Sequence, residues 1–460
     1  MSEDLGKRAR ALASSFKYLR DGLLGKLLEG NSMGRSLEPE AVQRLLGGEG
    51  GPGLEDCARC GSCKARCPVY ELTGNEAFSP RGRLMLLRGL AAGATPPTEG
   101  FLDRIFSCAL CGRCDVSCPV GIKPTQFIYR GRDALRKLDA KRLLVRTALR
   151  AGLNRPALGM KAARFITGSK HGLLKKLFLM SGMPEGMTIP EGITIPGHQL
   201  KSGHQVITPR KAVGRVAVFA GCSANYLMPE TGEDLIGILV AAGYEVVLPG
   251  GEVCCGMPLR GLGLDNEARK FAERNLEIFG KLNVEAVVSP CSTCTYMIKK
   301  RYPELVGGGV ENAMDAAQFL LAQGGLHLGA GPGFGKAIFP ALEKRFPAME
   351  KTGGKRLIWH EPCHLKYGLG FNTGPLLELL GIERPGEEGC CGFGCFLTDR
   401  DTSRELLLKR VSAYEGADMV VTSCPGCRIQ LESGGIKTAH LLDLVEEALP
   451  VQDGKAKMAG

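Results

Sequence analysis

The sequence predicts an α+β chain: a helical, cysteine-dense N-terminal part followed by two duplicated α/β units. Two observations carry this. Apolar residues recur at three- and four-residue steps early in the chain and in short strand-like runs after residue 213. One order of strands and cysteines also occurs twice in the second half. A chain of 460 residues exceeds one ordinary core, so several packed units are expected.

From the N-terminus, the segment 1–46 contains an amphipathic helix pattern, with Leu12, Phe16, Leu19, Leu23 and Leu27 on one face. Glycines from Gly47 to Gly53 break it. A unit at 54–129 follows, its cysteines running from Cys57 to Cys118 with a helical pattern around Leu84 to Leu90. The next stretch, 130–210, is basic and then rich in proline and glycine. Its Leu135, Leu138, Leu144 and Leu149 read as helix, whereas Met183 to Arg210 reads as a linker without regular structure. Beyond it, Arg215 to Ala220, Glu245 to Leu248 and Ala286 to Val288 read as strands of a first repeat at 213–330. Leu357 to Trp359 and Met419 to Thr422 read as strands of a second repeat at 355–448. Gly329 to Lys336 between the repeats fails as a phosphate loop, because Ala330 and Ala337 stand where such a loop needs glycine and a hydroxyl, and it reads as a connector.

Hydrophobic residues at 44% and charged residues at 23% are those of a globular chain, not a disordered or multi-span membrane protein. The best apolar run, Leu235 to Leu248, is interrupted by Gly243, Tyr244 and Glu245. No secretory signal pattern opens the sequence, so a cytoplasmic location is expected. The formal charge of +11 is concentrated: Arg130 to Lys176 holds 14 basic residues against Asp133 and Asp139, a local +12. That segment offers little aromatic surface for stacking and no nucleic-acid motif, so nucleic acid is not expected as a partner. An anionic membrane face or an acidic subunit suits it equally.

The 19 cysteines are the strongest signal, since they fall in short-spaced groups rather than as a disulfide framework. Cys57, Cys60, Cys63 and Cys67, then Pro68, follow the C-x2-C-x2-C-x3-C-P spacing, and Cys108, Cys111, Cys114 and Cys118, then Pro119, repeat it. This is the spacing of paired 4Fe-4S cubane clusters in a ferredoxin-like domain. Three thiolates on one tight loop reach one cube and the fourth reaches the other, which groups Cys118 with Cys57, Cys60 and Cys63, and Cys67 with Cys108, Cys111 and Cys114. A zinc site leaves the third and fourth cysteines of each run without a role. Iron is the expected metal.

Ten further cysteines form two matching sets. The first is Cys222, Cys254, Cys255, Cys291 and Cys294; the second is Cys363, Cys390, Cys391, Cys424 and Cys427. Each set is a single cysteine, a Cys-Cys-Gly and a C-x2-C, and five thiols at strand ends suit a metal cluster better than buried structural thiols. Cys395 stands outside both sets, as a spare buried thiol, a substrate-facing thiol or an alternative ligand.

This duplicated pattern resembles the CCG-domain family of heterodisulfide reductases. The arrangement from Cys57 to Leu449 resembles the iron–sulfur subunits of glycolate oxidase, D-lactate dehydrogenase and anaerobic glycerol-3-phosphate dehydrogenase. Ser79-Pro-Arg-Gly-Arg83 and His360-Glu-Pro-Cys-His364 share in the likeness. The resemblance implies two further 4Fe-4S clusters, of noncubane form, in the two CCG repeats. It also implies a separate FAD-containing 2-hydroxy acid dehydrogenase subunit as partner and a quinone or other redox acceptor, with the chain carrying electrons between them. A disulfide-reducing subunit is the alternative. The loop lengths differ, with 31 and 35 residues between the cysteine groups of the first repeat and 26 and 32 in the second. His360 and His364 flank Cys363 as proton carriers, hydrogen-bond donors to cluster sulfur or packing residues. Trp359 is expected in the core.

Overall fold

The computed structural model describes residues 52–156, Gly159, 203–323 and 355–448. The expected N-terminal helix, the later part of the basic stretch, most of the linker and the connector at 329–336 lie outside these residues.

The first unit is helical because each helix has its own start signal. Helix α1 (Pro68–Thr73) begins at a proline after Cys67, whose sulfur accepts the Tyr70 N–H at 3.4 Å. Helix α2 (Pro80–Ala91) is capped by Ser79, whose hydroxyl accepts the Gly82 N–H at 2.9 Å. Thr98 caps α3 (Glu99–Phe106), and Pro124 opens α4 (Pro124–Leu135). Helix α5 (Leu143–Asn154) follows. Leu84, Leu87, Ile105, Phe106, Phe127 and Ile128 close their core.

The rest is built on two sheets. The first has the order β1-β3-β2-β4-β5, from β1 (His204–Ile207), β2 (Gly214–Val218), β3 (Tyr244–Pro249), β4 (Ala286–Ser289) and β5 (Ala313–Asp315). All its pairings are parallel except β1 with β3. The second sheet is β6 (Leu357–Trp359), β7 (Met419–Thr422) and β8 (Thr438–His440), all parallel. Thus β6-β7-β8 repeats β2-β4-β5. The counterpart of β3 shrinks to a single bridge between Ile358 and Glu383, which accounts for the shorter first loop of the second repeat.

These strands are apolar on both faces, as parallel strands must be. Val216, Val218, Val246, Val288, Trp359 and Val421 enter one buried layer, and Ala217, Val247, Val287, Ile358 and Val420 enter the other. Both repeats therefore share two layers. Parallel neighbours need crossover connections, and helices supply them: α6 (Gly221–Tyr226) and α7 (Pro229–Ala241) follow β2, α8 (Asp265–Gly280) follows β3, and α9 (Ser292–Tyr296) follows β4. In the second repeat α10 (Arg400–Ser412) leads into β7 and α11 (Pro425–Ser433) crosses from β7 to β8, while α12 (Leu441–Ala448) follows β8.

One expectation is corrected and one segment gains a second role. The stretch ending at Arg210 holds regular structure after all: β1 pairs antiparallel along the edge of the first sheet, ahead of residue 213. An edge strand with one exposed side needs only His204-Gln-Val-Ile207, too short a pattern to separate from the prolines around it. The basic stretch, moreover, lies partly in the interior. Arg132, Arg142 and Arg146 are buried. Arg132 donates to the carbonyls of Ile105, Phe106, Cys108 and Gly261, Arg142 to that of Thr398, and Arg146 to that of Leu262. These three side chains clamp the helical unit onto both repeats.

Candidate metal centres

Cys57, Cys60, Cys63 and Cys118 line one hollow together with Arg81 and Val120. Cys67, Cys108, Cys111 and Cys114 line a second with Arg83 and Arg113. The grouping is crossed, each run's fourth cysteine lining the other run's hollow.

The two loops adopt one backbone. Arg59 and Gly61 on either side of Cys60 have φ of 56° and 87°, and Leu110 and Gly112 on either side of Cys111 have φ of 53° and 74°. Left-handed non-glycine residues such as Arg59 and Leu110 persist only where their surroundings hold them. Here Arg81 does so for the first loop, donating from Nη1 to the Arg59 carbonyl at 2.8 Å while its Nε binds Glu76 at 2.8 Å. The Ser-Pro-Arg-Gly-Arg motif thereby acquires a physical account: Ser79 caps, Pro80 starts the helix, Arg81 holds the loop, and a Cβ on Gly82 would lie 2.0 Å from the Glu76 carbonyl oxygen. The last member, Arg83, is buried and bonds the Arg104 carbonyl at 2.6 Å and Ser107 at 3.0 Å.

Burial, reinforced by the charges of Cys57 and Cys118, pushes the Cys63 thiol up to about 11. Cys114 is also raised by burial, and Cys108, Cys67 and Cys63 are near enough to add to it. The two hollows are neighbours.

In each repeat the five thiols form an ordered series. The first runs Cys222, Cys254, Cys255, Cys294, Cys291, each in contact with the next, with Cys222 and Cys254 sulfurs 3.6 Å apart. The second runs Cys363, Cys390, Cys391, Cys427, Cys424 in the same manner, with Cys391 and Cys427 sulfurs 3.6 Å apart. All but Cys390 and Cys391, which follow the bridge at Glu383, come after the C-terminal ends of parallel strands, the usual place for a site in such sheets. The glycine after each Cys-Cys has φ of 88° at Gly256 and 87° at Gly392, and its N–H points at the sulfur of Cys254 or Cys390, 3.5 and 3.4 Å away.

The series are joined to one another and to the helical unit. Cys291 of the first meets Cys424 of the second, and Cys363 at the other end of the second meets Cys111 of the second hollow. His364 braces this junction, one ring nitrogen 3.0 Å from the Leu110 carbonyl and the other 2.9 Å from the Thr293 hydroxyl, with its ring stacked on Tyr296. Arg113, to which the sequence alone assigns no role, stands among Cys111, Cys363 and Cys390, where a guanidinium balances thiolate charge. Its signal was a basic residue between two cysteines of one run.

His360 is buried, with Nδ1 2.6 Å from the Tyr414 hydroxyl and a ring nitrogen within 4.8 Å of the Cys391 and Cys427 sulfurs. Cys395 is fully buried, donates its S–H to the Ser107 carbonyl at 3.2 Å, and packs in one buried cluster with Cys67, Cys111 and Cys390. Trp359 lies in the core.

Converging soft thiols, hollows walled by them and a guanidinium close by suit an iron–sulfur group; the donor sets contain no carboxylate and so do not suit a hard cation. Residues 53–122 match the 4Fe-4S dicluster domain, and residues 216–299 and 357–432 each match the CCG cysteine-rich domain. The chain is 28% identical over 411 residues to the glycolate oxidase iron-sulfur subunit of Escherichia coli K12, covering 86% of this chain and 94% of that one. It is 31% identical over 248 residues to a subunit of the anaerobic glycerol-3-phosphate dehydrogenase of the same organism, 51% of this chain and 59% of that one. It is 25% identical over 425 residues to a subunit of the fumarate reductase (CoM/CoB) of Methanothermobacter marburgensis, 86% of this chain and 72% of that one.

Proposed function

We propose that this chain, with a 4Fe-4S dicluster domain and paired cysteine-rich domains like those of the glycolate oxidase and glycerol-3-phosphate dehydrogenase iron–sulfur subunits, is the electron-transfer subunit of an oxidoreductase complex. Its hollows take two cubane 4Fe-4S clusters and its repeats take two further 4Fe-4S groups, of noncubane form, through the eighteen cysteines of the four sets. Such groups supply one-electron redox chemistry. The observation that carries the reading is the unbroken succession of sulfurs from Cys222 through both repeats to Cys111. A disulfide-cleaving site needs a sulfur that substrate can reach, and of the ten repeat cysteines all but Cys222 and Cys363 are buried.

The partner is an FAD-containing dehydrogenase of the glycolate or D-lactate type, and a quinone or another redox carrier is the acceptor. A docking place is suggested by the first hollow, where Cys60 is exposed, Val116 and Val120 are 59% and 42% exposed, Arg59 and Arg66 stand exposed in the first cysteine run and Lys123 stands exposed just after the second. No described helix is long and apolar enough to cross a membrane. The exposed Lys137, Lys141, Arg150 and Arg155, with Leu143 and Leu144 exposed between them, support contact with an anionic face on the cytoplasmic side.

Anaerobic purification with identification of the copurifying chain tests this. A flavoprotein that bleaches this chain's visible absorption when given a 2-hydroxy acid is the expected result. Reduction of a small disulfide by the chain alone, abolished by Cys391→Ser, would select instead the disulfide-reducing function that the heterodisulfide reductase resemblance carries.

A further inference from the structure

We propose that His360 donates its Nε2–H to sulfur of the group held by the second five-cysteine set, and that the first set lacks this donor. The proposal rests on the reading that both sets hold iron–sulfur groups.

Four observations lead to it. First, the ring is locked. His360 is 1% exposed, its backbone N–H is bonded to the Val421 carbonyl, and Nδ1 lies 2.6 Å from the Tyr414 hydroxyl. Second, the tautomer follows from the partner. Tyr414 is 5% exposed and its hydroxyl has no hydrogen-bond partner among the described residues other than Nδ1, so its O–H is satisfied only by donating to that nitrogen. A neutral imidazole that accepts at Nδ1 carries its own proton at Nε2. Third, Nε2 is fully buried without a hydrogen-bond partner among the described residues, on a ring that stands within 4.8 Å of the Cys391 and Cys427 sulfurs. An N–H left unpaired in a protein interior costs about 1–3 kcal/mol, so such a group normally has an acceptor.

The fourth observation is internal to the chain. Counting back from the first cysteine of each repeat, Phe219 stands three residues before Cys222 where His360 stands three before Cys363. Phe219 meets Phe279 edge-on at 5.4 Å, as His360 meets Tyr414 edge-on at 6.0 Å. One architecture thus carries a phenylalanine pair behind the first set and a histidine–tyrosine pair behind the second. Hydrogen bonds to sulfur favour the more negative, reduced state, because charge-assisted bonds strengthen as the acceptor gains charge. Two groups with the same five-cysteine pattern are therefore made unequal, the second being the easier to reduce. Tyr414 is a positioning residue that acts through the ring.

The test is a potentiometric titration of the full chain, purified anaerobically and followed by electron paramagnetic resonance. The component that Cys391→Ser removes identifies the second set. In His360→Phe that component should shift to lower potential by roughly tenfold in its reduction equilibrium, ~59 mV for one electron, while the other components stay in place. His360→Gln retains an N–H donor and should stay close to the parent, and Tyr414→Phe should give a smaller shift of the same sign. An unmoved component in His360→Phe would overturn the proposal. Loss of iron from the second set in both the Phe and Gln variants would overturn it too, by making His360 a ligand or a structural residue. A parent chain with iron in the two hollows but no component sensitive to Cys391→Ser would instead sink the underlying reading of the set.

Discussion

The glycine of each Cys-Cys-Gly shows how much a single position decides. Its left-handed φ turns the backbone N–H back on the first sulfur, and any side chain there costs about 1–3 kcal/mol in strain. At Gly392 a Cβ would also lie 2.5 Å from the Ser403 carbonyl oxygen, whereas at Gly256 the nearest atom is 3.4 Å away. Gly392→Ala should therefore lower the melting temperature by more than Gly256→Ala, and equal losses in thermal unfolding would contradict this account. The cysteine sets were legible as sequence because their spacing reflects a local loop, and the spacing survives translation into letters. The roles of His360 and Arg113 were not, since each depends on which way a side chain turns and on what lies behind it. Three open readings for His360 and none for Arg113 were the natural result.

Among the elements, the helical unit's attachment runs through charge that the sequence counts but cannot orient. Asp139, 2% exposed, bonds Arg142 at 2.8 Å and Arg146 at 2.6 Å, and both arginines also reach carbonyls of the repeats. Asp139→Ala leaves two buried guanidinium groups short of a partner and should destabilise the chain by about 3–5 kcal/mol. Denaturant unfolding that shows a loss under about 1 kcal/mol would contradict the clamp. A second case lies where α7 of the first repeat packs on α12 of the second. Burial, then the charges of Asp443 and Glu446, push Asp234 up to about 7. The folded state therefore binds this proton between an unfolded value near 3.8 and about 7, and stability falls as pH rises through that window. Asp234→Asn removes the penalty, so its advantage in melting temperature should grow from pH 4 to pH 7 and then level off; an advantage independent of pH would contradict the assignment. The strands recognised from sequence were the apolar runs leading to cysteines. Those missed, β1, β5 and β8, are edge strands of three or four residues, and short edges carry too little alternation to stand out from loop.

For the molecule as a whole, the spatial order of the sulfur sets differs from their order in the chain. The second repeat's set touches both the second hollow, through Cys363 and Cys111, and the first repeat's set, through Cys424 and Cys291. The two sheets share their buried layers, which is why sets more than a hundred residues apart meet. Duplication was visible in the sequence, but the way the copies face one another is a product of packing and was not. The claim beneath all of this is that these sulfurs hold iron. Quantifying iron, acid-labile sulfide and zinc in the anaerobically purified full chain tests it most directly. The account predicts about 16 iron atoms with equal sulfide per chain, as four 4Fe-4S groups require; stoichiometric zinc with little iron or sulfide would contradict it.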